Sequence, residues 1–163
     1  MLNKKIRLLF LIVIIGILFA GCDLEMYEMP ETTPYADDTM PRHVPGEVFE
    51  SSGFKISYIG VEVVDNLDGQ KAYEGHDIYI FDFEFENISD KQKNVFYGCF
   101  VCYVDNVLAT QLFHYDGMIM GTLAEKGSTT RGTVAFMVPK DAEVVEVLFQ
   151  YNYEDERLVF VTE

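Results

Sequence analysis

The clearest hydrophobic pattern in this chain has a period of two. Residues 81–86 read Phe-Asp-Phe-Glu-Phe-Glu, which sends Phe81, Phe83 and Phe85 to one face of a strand and Asp82, Glu84 and Glu86 to the other. Similar runs at 54–64, 96–104, 107–113, 129–138, 144–153 and 157–162 join residues 78–86 to predict seven strands. Turn chemistry separates them: Asp65-Asn-Leu-Asp68-Gly69, Asn87-Ile-Ser-Asp90, Glu125-Lys-Gly127, Pro139-Lys-Asp141 and Glu154-Asp155. Asp105-Asn106 joins two apolar runs, and both residue types tolerate the positive φ of a tight hairpin. No long amphipathic helix is predicted, although residues 118–124 have room for one helical turn. Seven short strands with turns every 8 to 15 residues predict an all-β protein, an immunoglobulin-like antiparallel β-sandwich.

The N-terminal pattern is different. Lys4, Lys5 and Arg7 precede thirteen uncharged residues, Leu8 to Ala20. A basic head, a short apolar run and small residues before a break make a secretory signal peptide, too short for a confident span of the roughly 30 Å hydrocarbon layer. Leu18-Phe19-Ala20-Gly21-Cys22 resembles a bacterial lipobox, although Phe19 stands where Leu is usual. That resemblance implies lipidation of Cys22 and cleavage before it. The chain then divides into a leader (1–21), an acidic tether with four of the five prolines (22–45) and one domain of 118 residues (46–163). Met26, Tyr27, Met29 and Tyr35 interrupt the tether's polarity. The expected location is the extracytoplasmic face of the cell membrane, with the N-terminal lipid as the membrane contact.

Charge narrows the partners. Removing the leader lowers Lys+Arg from 12 to 9 against 27 Asp+Glu, taking the net charge from −15 to −18. A surface that negative repels nucleic acid, which is excluded as a partner.

Candidate chemistry is thin. Cys99-Phe-Val-Cys102 has redox or metal spacing, but residues three apart in a strand lie on opposite faces about 10 Å apart, which favours two buried unpaired thiols over a distorted local disulfide or a metal site. Neither His43, His76 and His114 nor an assembly of Ser128, His114 and Asp116 has the spacing of a catalytic site. The stripe Asp82, Glu84, Glu86 reads as a solvated face before it reads as a calcium site. Asn87-Ile-Ser89 is a formal glycosylation sequon that reads better as a turn. Tyr97, Tyr103, Tyr151 and Tyr153 are candidates for an aromatic face. The loop from His114 to Gly121 offers Tyr115, Met118, Ile119 and Met120 as an adaptable contact surface, or as a plug for one end of the sandwich.

Residues 81–91, FDFEFENISDK, with 123–151, LAEKGSTTRGTVAFMVPKDAEVVEVLFQY, resemble an uncharacterised family of Ig-like domains found in bacterial lipoproteins and secreted proteins. The resemblance implies a fold shared with a mycobacterial immunoprotective extracellular protein, and it brings no catalytic residue. Gly127 and Gly132 are expected to supply turn or bulge geometry. The expectation for function is a lipid-anchored, noncatalytic interaction or adhesion module with a protein or glycan partner and no cofactor. The alternative is an envelope accessory or inhibitor lipoprotein acting on a wall enzyme or membrane complex.

Intact-mass measurement should therefore find residues 1–21 missing and acyl mass on Cys22, with both lost and membrane partitioning abolished in Cys22→Ala. An unmodified soluble chain would refute the leader reading.

Overall fold

The computed structural model describes residues 39–152 and 157–163; Cys22, the leader and most of the tether lie outside them. Along the described chain run β1 (Arg42–His43), β2 (Val48–Ser51), β3 (Phe54–Val64), β4 (Asn66–Leu67), β5 (Gln70–Lys71), β6 (His76–Asn87), β7 (Lys93–Phe96), β8 (Phe100–Val104), β9 (Val107–Leu108), β10 (Thr110–Gln111), β11 (Met120–Leu123), β12 (Thr129–Pro139), β13 (Val145–Phe149) and β14 (Leu158–Val161). Sheet one has the order β10-β12-β6-β3-β2 and sheet two the order β1-β14-β13-β8-β9. This is the strand order of an immunoglobulin-like sandwich, with β3, β6, β12 and β10 in the places of strands A, B, E and D. A separate ribbon pairs β7 with β11, and β4 with β5 makes a small hairpin.

The period-two pattern translates directly into layers. Phe81, Phe83 and Phe85 are fully buried with Phe54, Ile56 and Tyr58 of β3, Phe136 and Val138 of β12, and Phe100, Val147, Phe149 and Phe160 of sheet two. Each fully buried aromatic or aliphatic side chain contributes roughly 1.5–3 kcal/mol relative to exposure. Tyr58 ties the layers together, its hydroxyl donating to the carbonyl of Val161 across the sandwich at 2.9 Å.

A second, smaller core lies on the outer face of sheet one. There Ile78, Ala135 and Met137 are covered by Leu112 and Tyr115, with Leu67, Ala72 and Met118 around them. The strap from Leu112 to Ile119 is sewn to β12 by hydrogen bonds from Thr133 N to Gly117 O at 2.8 Å and from Ile119 N to Thr133 O at 2.9 Å.

Several expectations change. Arg42 and His43, assigned to the tether, form β1, the one parallel ladder between named strands, beside Val159 and Phe160 of β14. Arg42 Nε donates to Glu146 Oε1 at 2.7 Å, and the His43 ring stacks on Phe49 at 3.8 Å. Glu146 is almost completely buried, and no hydrogen bond from the described residues reaches its Oε2. Residues 118–124 form no helical turn; residues 120–123 are strand β11, because pairing with β7 satisfies their backbone. The predicted strand at 96–104 is broken by a 3-10 turn, Tyr97–Cys99, and the one at 107–113 splits into β9 on sheet two and β10 on sheet one.

The turn expectations hold at Asp105 and Asn106, with φ of 48° and 69°, and at Gly127, with φ of 84°. Asn87 is fully buried, its Oδ1 accepting from Ser89 N and Oγ and its Nδ2 donating to Lys91 O and Leu123 O, as the turn reading requires.

Gly132 serves neither turn nor bulge. It lies within β12, where a Cβ would stand 2.6 Å from Ile119 Cα and 2.9 Å from Gly117 O. Its lack of a side chain lets the strap close on the sheet. Gly132→Ala should lower stability by about 1–3 kcal/mol, read as a shift in urea midpoint. An unchanged midpoint would mean that the strap does not depend on this approach.

Candidate functional site

The four residues of the expected contact loop separate. Ile119 is fully buried in the main core, and Tyr115 is buried in the second one. The Tyr115 hydroxyl donates to Thr133 O at 3.0 Å, and burial pushes its pKa up. Met118 is half-buried against the same cluster. Tyr115 and Met118 cover the outer apolar face of β6 and β12, while Ile119 fills the main core on the other side of that sheet. Met120 alone points to solvent, 73% exposed.

Met120 belongs instead to a surface formed by residues distant in sequence. In the β7–β11 register it stands directly opposite Phe96, so the two side chains share the ribbon's outward face. Phe96 is 46% exposed, and its ring centroid lies 6.0 Å from that of Tyr97, which in turn lies 5.2 Å from that of Phe113, itself 42% exposed. Asn94 and Thr122, also paired and exposed, supply hydrogen-bonding groups beside the aromatic cluster.

This surface is built on a fixed frame. The Phe96 ring lies over Gly98, where a Cβ would come within 2.4 Å of it. Gln111 Nε2 donates to Tyr97 O at 3.0 Å, and Gln70 Nε2, from the β4–β5 hairpin, donates to Phe113 O at 2.9 Å. Asp68 of the same hairpin accepts from Asp116 N at 2.6 Å.

The other candidates are engaged elsewhere. Cys99 and Cys102 are both buried free thiols, brought to the same core by the 3-10 turn between β7 and β8. Burial raises both pKa values, that of Cys102 to about 12 with a further push from Glu146. Ser128 donates its hydroxyl to Glu125 O within its own turn. In the acidic stripe, Arg131 clasps Asp82 at 2.6 and 3.2 Å, and Lys55 approaches Glu86 at 3.7 Å. No group of three or more His, Cys, Asp and Glu among the described residues is arranged to hold a metal ion. The described tyrosines of that set share no common face: Tyr97 joins the ribbon cluster, Tyr103 packs on the outside of sheet two, and Tyr151 lies beside Phe54 under the Lys93 ammonium. Tyr153 lies outside the described residues.

Sequence reasoning missed Phe96 and Phe113. Each sits in an apolar run, and only the nonlocal β7–β11 pairing turns Phe96 outward.

The chain belongs to the family described as a domain of unknown function (DUF5067), whose match spans residues 30–150. No curated protein matches it. Among solved structures it is similar to the yjhA protein of Bacillus subtilis, with 15% identity, a TM-score of 0.60, and 74% of this chain and 99% of that chain covered. It is similar also to the Bacillus subtilis ycdA protein, described as a "putative lipoprotein", at 13% identity and a TM-score of 0.58, covering 71% of this chain but only 38% of that one. The secreted protein MPT63 of Mycobacterium tuberculosis matches at 11% identity and a TM-score of 0.56, with 77% and 99% covered. At these identities the likeness establishes the β-sandwich fold.

Thiol chemistry offers a direct check. Burial holds Cys102 as the thiol at pH 8 and shields its sulfur, so an aromatic disulfide reagent should label it only through opening of the fold. Labelling should rise with denaturant. Rapid native labelling at pH 8 would contradict the buried placement.

Proposed function

We propose that this chain is a lipid-anchored, extracytoplasmic protein whose sandwich is a noncatalytic interaction module, binding a protein partner through the β7–β11 ribbon. The observation that carries this reading is the exposed cluster of Phe96, Phe113 and Met120 on a frame held by hydrogen bonds and close packing. Aromatic residues and Met are enriched in interface cores, and contiguous apolar surface rimmed by polar groups marks interaction sites. Asn94 and Thr122 supply that rim.

Charge selects among partners. A chain this acidic favours a basic partner, repels its own copies and repels nucleic acid. The leader and Cys22 support anchoring, and the descriptions of ycdA and MPT63 point to the same side of the membrane.

The test is cross-linked capture from native membranes with the full-length chain, comparing wild type with Phe96→Ser/Met120→Ser. The double variant should lose at least about tenfold of the captured partner while its urea midpoint falls only modestly, since Phe96 packs on Gly98 and Tyr97 but neither side chain belongs to the core. Val107→Ser/Leu108→Ser, altering exposed apolar residues of β9, should leave capture unchanged. Capture that survives the Phe96/Met120 change would overturn the proposal.

A further inference from the structure

The loops at one end of the sandwich border a second feature, an open cleft of about 300 Å³ whose lining includes Asp65, Asn66, Lys71, Tyr73, Glu74, His76 and Lys140. That volume lies at the lower end of the range for small-ligand sites. Its walls are fixed by backbone: Ala72 N donates to Asp65 O at 2.8 Å, His76 N to Tyr73 O at 2.9 Å and Lys140 N to Gly75 O at 2.9 Å.

Tyr73 is 61% exposed, more than any other described Phe or Tyr, and its ring meets that of His76 edge-on, 6.1 Å away at 82°. Edge contact orients the phenol while leaving ring surface open. His76 Nδ1 lies 3.1 Å from Glu74 O. A carbonyl only accepts, so Nδ1 carries the proton, and the other ring nitrogen faces away from this bond.

The cleft carries charge of both signs. Two carboxylates of its lining, Asp65 and Glu74, are set against two ammoniums, Lys71 and Lys140, the latter also held by Asp77 at 3.2 Å. An anion entering here meets two carboxylates, and a cation meets two ammoniums. A neutral polyhydroxylated ligand meets no repulsion, and its hydroxyls both donate and accept. Carboxylates, the Asn66 amide, the Lys71 ammonium and the His76 imidazole then all have complementary groups.

From this convergence of an oriented, exposed aromatic ring with mixed donors and acceptors, we infer that the cleft binds a neutral glycan, one sugar ring stacking on Tyr73 while its hydroxyls bond to Asp65, Asn66 and Glu74. The inference is independent of the ribbon reading, and its variants leave Phe96 and Met120 intact.

The test is calorimetric titration of the full-length chain, in polyoxyethylene detergent, with neutral tetrasaccharides of glucose and of N-acetylglucosamine, and with inorganic phosphate and a trilysine peptide as charged probes. At least one tetrasaccharide should bind saturably at millimolar concentration or below. Tyr73→Ala should weaken that binding about tenfold or more, while Tyr73→Phe stays within about threefold because stacking needs the ring and not the hydroxyl. Glu74→Gln provides a second variant on the polar wall and should also weaken it. Failure of both sugars to bind, equal binding by Tyr73→Ala, or saturable binding of phosphate or trilysine in their place would overturn the inference. Loss of partner capture by the ribbon variant with glycan binding intact would separate the two sites.

Discussion

The structure depends on a continuous aromatic contact between the two sheets. Tyr58 stacks with Phe83 at 5.1 Å and meets Phe160 edge-on at 5.2 Å, and Phe83 and Phe85 continue the contact to Phe100 and Phe149. These rings come from both sheets, so neither sheet buries its apolar face without the other. The Tyr58 hydroxyl donates to the carbonyl of Val161 in the opposite layer, and burial raises its pKa strongly. One side chain thus couples apolar packing to a hydrogen bond that an isolated sheet would leave unmade.

With the layers fixed, surface features follow from how the connections are disposed of. The run from Leu112 to Ile119 crosses the outer face of sheet one and then turns inward, burying Ile119 in the main core. Having done so, the chain emerges at Met120 beside β7, which places that methionine against Phe96. The exposed cluster is therefore a by-product of a covering strap, and the same β4–β5 hairpin that steadies Phe113 lends Asn66 and Lys71 to the cleft.

Much of this was legible in the sequence where burial imposes alternation. The bounds read for β3 coincide with those observed, and β6 extends only slightly beyond the expected segment, because one wet and one dry face leave a period-two record. Asp105-Asn106 announced its hairpin through the φ values those residues tolerate. Two-residue strands such as β1, β4, β5, β9 and β10 are shorter than any period that could reveal them. Beyond Ala135, β12 is buried on both faces, which erases alternation there. The candidate surfaces were harder still: Phe96 and Met120 carry the same local signature as core residues, and Tyr73 stands among ordinary loop residues. Their exposure is a property of nonlocal pairing.

The short parallel strand at the domain's N-terminal entry has a mechanical meaning. Because β1 lies alongside the final strand, tension applied from upstream and resisted at the C-terminal end would slide β1 along β14, straining its contacts together instead of peeling them in succession. The Arg42–Glu146 pair and the stacked His43 ring lie on this line of force. Releasing the strand would strand a carboxylate in a dry setting at the moment of slippage, so the attachment resists brief pulls more firmly than the length of its ladder implies.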